Sequence, residues 1–186
     1  KQTVLLSMAT GTGKTRTILG MIYRFIKSDR FKRVLFLVDR TALGEQAEDV
    51  FKEVKIEDLM TLDSIYNIKG LEDKDIDRET KIHVATVQSL VKRILYPEGD
   101  TMPSVSDYDL IVVDEAHHTL APSYRRIIKA IREKQPDAKL LGLTATPERM
   151  DNKETFMFML GFDFCSTCAW FKEEVLSDYI RNHGFE

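Results

Sequence analysis

A glycine-containing turn near the start of the chain has the residue order of a phosphate-binding loop. Residues 7–16 read Ser-Met-Ala-Thr-Gly-Thr-Gly-Lys-Thr-Arg and follow a short apolar run. Glycines let backbone N–H groups close around an anion, and the start of a following helix adds partial positive charge. In such a loop Lys14 reaches the β- and γ-phosphates of a nucleotide, and the Thr15 hydroxyl binds Mg²⁺. We therefore predict that the nucleotide contacts Thr10, Gly11, Thr12, Gly13, Lys14, Thr15 and Arg16.

The loop departs from the strict P-loop pattern at one position. The pattern places a glycine five residues before Gly13, where this chain has Met8. The order of strand, loop and helix outweighs the missing glycine. The alternative is a glycine-rich turn in which Lys14 and Thr15 occur by chance.

An acidic pair provides the second half of an ATPase site. Asp114 and Glu115 directly follow the apolar run Leu110–Val113. A carboxylate at a strand end can hold Mg²⁺, which assigns Asp114 to the metal together with Thr15. A second carboxylate beside it, Glu115, can take a proton from the attacking water. Without the loop, the same two residues are equally well explained as an acidic turn that caps the next segment.

Two histidines come directly after the acidic pair. We predict that His117 is a catalytic residue, a polar sensor between the nucleotide and the neighbouring loops. For His118 a solvated surface position is as good an explanation as a functional role. The spacing of the two is not that of a zinc motif.

The elements that must position these residues alternate along the chain. Apolar runs predict strands over residues 3–7, 33–38, 81–86, 110–113 and 139–143. Helical periodicity predicts helices between them, beginning near Thr15, Leu43, Val87 and Ser123. This alternation predicts an α/β fold, a parallel sheet of five or more strands with helices on both faces. Ligands of such sheets bind beyond the carboxyl ends of the strands. We predict a surface loop over the charged residues 69–81.

Composition limits the class of protein. The 186 residues fit one large domain, and 43% of them are apolar, which is enough for a sizeable core. Lys and Arg total 27 against 30 Asp and Glu, so the net charge of −3 excludes a polycation that coats nucleic acid. No apolar run approaches the roughly 18 residues of a membrane span. Two cysteines exclude a disulfide framework and favour the cytoplasm. Because the chain opens on Lys1, we expect a fragment of a longer protein.

Three motifs together resemble those of superfamily 2 helicases and translocases. Residues 8–15 (Met-Ala-Thr-Gly-Thr-Gly-Lys-Thr) look like motif I, Asp114-Glu-Ala-His117 like motif II and Thr144-Ala-Thr146-Pro147 like motif III. The set is most similar to the DEAD/DEAH-type ATPases of the R subunit of type I restriction enzymes and the related type III restriction family. Residues 34–43 resemble motif Ia of those R subunits, and residues 84–90 resemble the next family element.

The resemblance implies a RecA-like ATP-binding lobe over residues 1–150. In that fold the motif III strand lies between the P-loop strand and the Asp-Glu strand. Thr144 and Thr146 are then expected beside the γ-phosphate, where they couple it to the DNA-binding surface. The resemblance also implies DNA phosphate contacts, which position without reading sequence, through Arg40, Thr41, Thr86 and Gln88.

The function implied by the resemblance is a motor. ATP hydrolysis with Mg²⁺ would drive translocation along double-stranded DNA within a type I restriction-modification enzyme. The implied partners are methylation and specificity subunits, and a second RecA-like lobe that supplies an arginine finger. Nothing after residue 150 resembles that lobe, so we expect the fragment alone to turn over slowly. Two alternatives stay open, namely the first lobe of a superfamily 2 repair or RNA helicase, and a non-motor ATP-binding switch or scaffold.

Two further segments have patterns without an assigned function. Residues 151–186 form a C-terminal extension that we predict to be helical, with Cys165 and Cys168 as ordinary cysteines rather than zinc or redox groups. In the helix predicted to begin near Ser123, Arg125, Lys129 and Arg132 share one face. We predict that this face is solvated surface and do not assign it to DNA.

Overall fold

The computed structural model describes residues 3–71, 73, 79–95, 108–119 and 121–145. The chain divides into two units after Ala145, and all of these residues belong to the first. Its strands are β1 (Thr3–Ser7), β2 (Val34–Val38), β3 (Lys55–Glu57), β4 (Met60–Thr61), β5 (Ile68–Lys69), β6 (Ile82–Thr86), β7 (Leu110–Val113) and β8 (Lys139–Thr144). Its α-helices are α1 (Lys14–Lys27), α2 (Thr41–Glu53), α3 (Leu62–Ile65), α4 (Val87–Leu95) and α5 (Pro122–Lys134). A 3₁₀ turn covers Ala116–His118.

Six strands form one parallel sheet in the order β1-β8-β7-β2-β6-β5. This confirms the predicted α/β class and the parallel sheet. The strand that ends in Thr144 lies between the P-loop strand and the acidic strand, as the resemblance implies. Because all six strands run the same way, the segments that follow them emerge at one edge of the sheet. β3 and β4 form a separate antiparallel pair.

Both faces of the sheet are covered by helices. Every residue of β2 is buried, which a strand shows when helices pack on both sides of it. Val34, Phe36 and Val38 belong to a core cluster with buried residues of α1 and α2. The alternate residues Leu35 and Leu37 point to the opposite face, where α4 and α5 contact each other.

Strand β1 is only partly buried, unlike the inner strand β2. It lies at an edge of the sheet and pairs with β8, and Val4 is 50% exposed. An apolar run reports hydrophobicity but not the position of a strand in the sheet. Strand order therefore decides which apolar runs become edges.

The segment between α2 and β6 contains elements that the sequence did not predict. β3, β4, α3 and β5 are two to four residues long, too short for a recognisable period. The predicted loop over residues 69–81 begins inside β5, which pairs in parallel with β6. Residues 74–78 of that loop, Thr146, Cys165, Cys168 and the predicted C-terminal helix lie outside the described residues.

Within the part of the chain that the structure describes, no helix has the length and apolarity needed to cross a bilayer.

Candidate nucleotide site

The loop between β1 and α1 starts as a continuation of the sheet. Ser7 and Thr144 are register partners at the ends of β1 and β8. The Met8 N–H donates to the Thr144 carbonyl at 2.9 Å, which extends the parallel ladder by one step. Met8 is not among the residues with positive φ, so its backbone does not require glycine at this position. Left-handed backbone occurs further along, at Gly11 (φ 79°) and Gly13 (φ 86°).

The loop is closed on itself by Thr12 and has open space at both of its glycines. The Thr12 side chain donates to the Ala9 carbonyl at 2.7 Å, and the Thr12 N–H donates to the same oxygen at 3.3 Å. A Cβ built on Gly11 or Gly13 meets no protein atom within 4 Å. The first amides of α1 have no acceptor within their own helix. Open space lined by backbone donors at a helix start fits a bound phosphate group.

The other predicted loop residues lie around this space. Thr10 and Arg16 are exposed, and Thr15 is half-buried in the first turn of α1. Lys14 is the most shielded of the group, with its side chain 11% exposed.

The acidic pair reaches the same edge from β7. The Asp114 N–H donates to the Leu37 carbonyl at 3.0 Å, which continues the pairing of β7 with β2. The Lys14 ammonium lies 3.2 Å from the Glu115 carboxylate (Nζ to Oε1). The structure thus brings the loop lysine and the acidic pair together across 101 residues of chain.

The surroundings of Asp114 disfavour the ionised form of its carboxyl group. Burial raises the pKa of the Asp114 carboxyl, and the nearby Glu115 charge raises it further. The Glu115 N–H, which donates to Asp114 Oδ1 at 2.9 Å, and the Lys14 ammonium act in the lowering direction. The shift remains upward, so these two contributions do not fully offset the effect of burial on the carboxylate.

Glu115 adopts left-handed backbone (φ 50°), which is unfavourable for a residue with a Cβ. The turn leads from β7 into the 3₁₀ segment. One oxygen of the Glu115 carboxylate contacts Lys14, and the other lies 3.3 Å from His117 Nδ1. Strained backbone of this kind is retained where a side chain must be held in one place.

His117 links the acidic pair to the end of β8. Its Nδ1 lies 3.1 Å from the hydroxyl of Thr144, a residue with no exposed surface. The contacts therefore run from Lys14 through Glu115 and His117 to Thr144. His118 is exposed and lies beside His117, with ring centroids 4.1 Å apart.

Two small residues that we did not predict fix the height of the 3₁₀ turn above the sheet. Ala116 is fully buried, and a Cβ on Gly142 would lie 2.8 Å from the Ala116 Cβ. The same Cβ would lie 3.1 Å from Leu5 Cδ1. Position 142 therefore has room for glycine only. A larger residue there would push away the turn that carries Glu115 and His117. A lone glycine inside an apolar strand was the available sequence signal.

Gly142→Ala should destabilise the protein and disturb the site. Overpacking of this kind costs about 1–3 kcal/mol, and we expect a lower midpoint of thermal unfolding. Gly20→Ala is the matched control, because Gly20 lies inside α1 and its added Cβ meets nothing within 4 Å. That control should raise the midpoint, since alanine is favoured over glycine in a helix by roughly 1 kcal/mol. Equal midpoints for the two variants would contradict the packing argument.

The residues predicted to contact DNA lie at the ends of two neighbouring strands. Arg40 and Thr41 follow β2 at the start of α2, and the Arg40 side chain is 82% exposed. Thr86 ends β6, and its hydroxyl accepts the Ser89 N–H at 3.1 Å, so it caps α4. Gln88 is exposed in the first turn of that helix. Their placement at the edge that carries the nucleotide loop is observed, and their contact with DNA stays a prediction.

The basic face of α5 is less uniform than we predicted. Arg125 and Lys129 are exposed, but Arg132 is half-buried and its Nη2 donates to Thr3 Oγ1 at 2.9 Å. Burial lowers the pKa of the Arg132 guanidinium. The prediction of a solvated face was wrong for Arg132, because α5 ends over the edge strand β1.

Comparisons with known proteins agree with this geometry. Residues 1–149 match the family described as the res subunit of type III restriction enzymes. The endonuclease subunits of the type I restriction enzymes EcoKI and EcoAI, both from Escherichia coli, are 49% and 36% identical over 79% and 78% of this chain. The chain spans 14% and 17% of the length of these two relatives.

A solved structure supports the predicted fold. The helicase domain of Hef from Pyrococcus furiosus is similar to 84% of this chain and is itself covered to 33%. The TM-score is 0.65 at 25% sequence identity. This similarity confirms the RecA-like helicase fold that the motifs implied.

Proposed function

Because the chain belongs to the family of the type III restriction enzyme res subunit and forms a helicase-like domain, we propose that it is the ATP-binding lobe of a DNA motor. In this proposal ATP hydrolysis drives movement along double-stranded DNA within a type I restriction-modification enzyme. The similarity to the EcoKI endonuclease subunit favours that setting.

One observation carries the proposal. The ammonium of Lys14, at the start of the P-loop helix, lies 3.2 Å from Glu115, the second residue of the acidic pair. The parallel sheet brings both segments to one edge, but it does not by itself place a lysine against a carboxylate of the acidic pair. Positive charge beside phosphate-binding amides and negative charge beside a metal position are what a magnesium nucleotide requires on its two sides.

The residues fit magnesium and ATP in their chemistry. Open space at the two left-handed glycines suits phosphate oxygens, and the oxygen donors Thr15 and Asp114 suit Mg²⁺. Bound magnesium would neutralise charge on the transferred phosphoryl group. Lys14 would exchange Glu115 for the β- and γ-phosphates. Released from that ion pair, Glu115 would accept the proton of the attacking water.

The contact between His117 and Thr144 supports a route from chemistry to movement. The Thr144 hydroxyl lies 3.1 Å from His117, whose ring nitrogen also lies 3.3 Å from Glu115. A change at Glu115 would therefore reach the end of β8 and the following Thr146. We propose that these residues couple the nucleotide state to DNA held by Arg40, Thr41, Thr86 and Gln88. A second RecA-like lobe and the methylation and specificity subunits would be the protein partners.

The first lobe of a repair or RNA helicase is the second candidate. It is favoured by the similarity to the Hef helicase domain. Both candidates use the same kind of ATP site, so the residues described above do not separate them.

The choice of nucleic acid separates the candidates. ATPase activity of the intact protein should be measured with duplex DNA, single-stranded DNA and RNA. We expect stimulation by duplex DNA that Lys14→Ala removes and that Lys27→Ala, at the far end of α1, retains. Stimulation by single strands or RNA alone would favour the second candidate. Nucleotide binding without any stimulated turnover would indicate a switch or scaffold.

A further inference from the structure

A buried tyrosine hydroxyl near the acidic pair has no hydrogen-bond partner. Tyr124 is 1% exposed, and its hydroxyl reaches neither solvent nor any acceptor. A buried hydroxyl without a partner costs free energy, because it gives up its hydrogen bonds to water. Phenylalanine would fill the same space without that cost. The hydroxyl is therefore a donor that is available to a partner in another state of the protein.

The position of α5 places this hydroxyl at the edge of the sheet that carries the site. Tyr124 lies in the first turn of α5, which begins soon after the 3₁₀ turn and leads back to the start of β8. The neighbouring strands β2 and β7 end in Asp39 and Asp114 at this edge. Burial raises the pKa of the Tyr124 hydroxyl, and the charges of Asp39, Asp114 and Glu115 raise it further. The hydroxyl thus remains a hydrogen-bond donor on which the charges of three carboxylates act.

Of the three carboxylates, Asp114 has the greatest need of another donor. Glu115 is paired with Lys14 at 3.2 Å, and the Asp39 side chain is 34% exposed and lies 3.9 Å from the Arg40 guanidinium. Among the described residues, the Asp114 carboxylate accepts one hydrogen bond, from the Glu115 N–H to Oδ1.

Nucleotide binding would increase that need. In this structure the Lys14 ammonium lies 3.2 Å from the Glu115 carboxylate. In the proposed function Lys14 turns to the phosphates, and the phosphates add further negative charge to the site. Once Lys14 has turned to the phosphates, a neutral hydrogen-bond donor beside Asp114 would stabilise the site more, because it can fix the carboxylate in one orientation.

Resting on the proposed function, we propose that Tyr124 is a positioning residue of the nucleotide site. In the nucleotide-bound state its hydroxyl donates a hydrogen bond to the Asp114 carboxylate and orients that carboxylate towards the metal position. Tyr124 is not a catalytic residue in this inference, since it acts through Asp114.

Tyr124→Phe tests the inference, with Tyr23→Phe as the matched control. Tyr23 also has a buried hydroxyl without a partner, but it lies near the far end of α1 beside Tyr66. Binding of adenylyl imidodiphosphate to the intact protein should be measured by calorimetry, once with Mg²⁺ and once with a chelator. We expect Tyr124→Phe to weaken the binding measured with Mg²⁺ by roughly 10- to 100-fold and to leave the metal-free affinity unchanged.

Thermal unfolding without ligand provides the second measurement. Neither variant should lower the midpoint, because neither loses a hydrogen bond in the free protein. A lower midpoint for Tyr124→Phe would show that its hydroxyl is already partnered, and would overturn the inference. Equal binding by wild type and Tyr124→Phe, or equal weakening by both variants, would overturn it as well. If magnesium fails to strengthen binding of the analogue to the wild type, the proposed function itself is wrong and the inference fails with it.

Discussion

Replacing Glu115 by Gln should abolish ATP turnover by the intact protein and leave nucleotide binding in place. Gln has the size of Glu and can keep a hydrogen bond to Lys14, but it cannot accept a proton from water. A positioned general base contributes roughly 10²–10⁴-fold, so steady-state turnover should fall by about that factor. Because the ion pair at 3.2 Å is removed, Lys14 is freed for the phosphates and affinity should not decrease. Turnover and equilibrium binding of ATP measure the two effects separately.

Glu133→Gln is the control for that substitution. Glu133 lies on α5, its side chain is 61% exposed, and its carboxylate lies 3.7 Å from the Lys129 ammonium. The substitution therefore makes the same chemical change outside the acidic pair. It should leave turnover unaltered, because exposed ion pairs contribute little. If Glu115→Gln retained wild-type turnover, Glu115 would have no role as the base.

The meeting of Lys14 and Glu115 could be predicted because the topology was predictable. Alternating strands and helices imply a parallel sheet, and parallel strands deliver their following segments to one edge. The loop after β1 and the acidic pair after β7 therefore had to share an edge. The exact contact could not be predicted, since it depends on the left-handed backbone of Glu115 (φ 50°).

Residues that act through packing are harder to identify from the sequence than residues in motifs. Gly142 resembles any glycine in a strand until Ala116 is seen 2.8 Å from its missing Cβ. Tyr124 fits the apolar face of α5, and periodicity cannot tell a hydroxyl that is satisfied from one that is not. Such roles depend on distances between elements that are remote along the chain. Motifs record the chemistry of a site better than the contacts that hold it in place.

Asp114→Asn should have opposite effects on stability and on metal-dependent binding. Burial and the Glu115 charge raise the pKa of Asp114, so its ionised form is unfavourable in the free protein. Asn keeps the oxygen that accepts the Glu115 N–H at 2.9 Å but carries no charge. We expect the ligand-free variant to be at least as stable as wild type at neutral pH. We also expect the strengthening of nucleotide binding by Mg²⁺ to be lost, because an amide is a much weaker ligand for this ion.

The pH dependence and a second aspartate separate this effect from general damage. A carboxyl whose pKa is raised by folding stabilises the folded state below its unfolded pKa, and this contribution is lost as the pH rises through the folded value. The stability advantage of Asp114→Asn should therefore be complete above the raised pKa of Asp114, shrink as the pH falls from there, and be absent below the unfolded pKa. Asp109→Asn is the control, since the Asp109 carboxylate accepts the N–H groups of Lys32 and Arg33 on separate oxygens and the substitution removes one of these acceptors. That control should lose stability by about 1–3 kcal/mol and keep magnesium-dependent binding. Loss of stability in Asp114→Asn with its metal dependence intact would mean that Asp114 supports the fold and does not bind the metal.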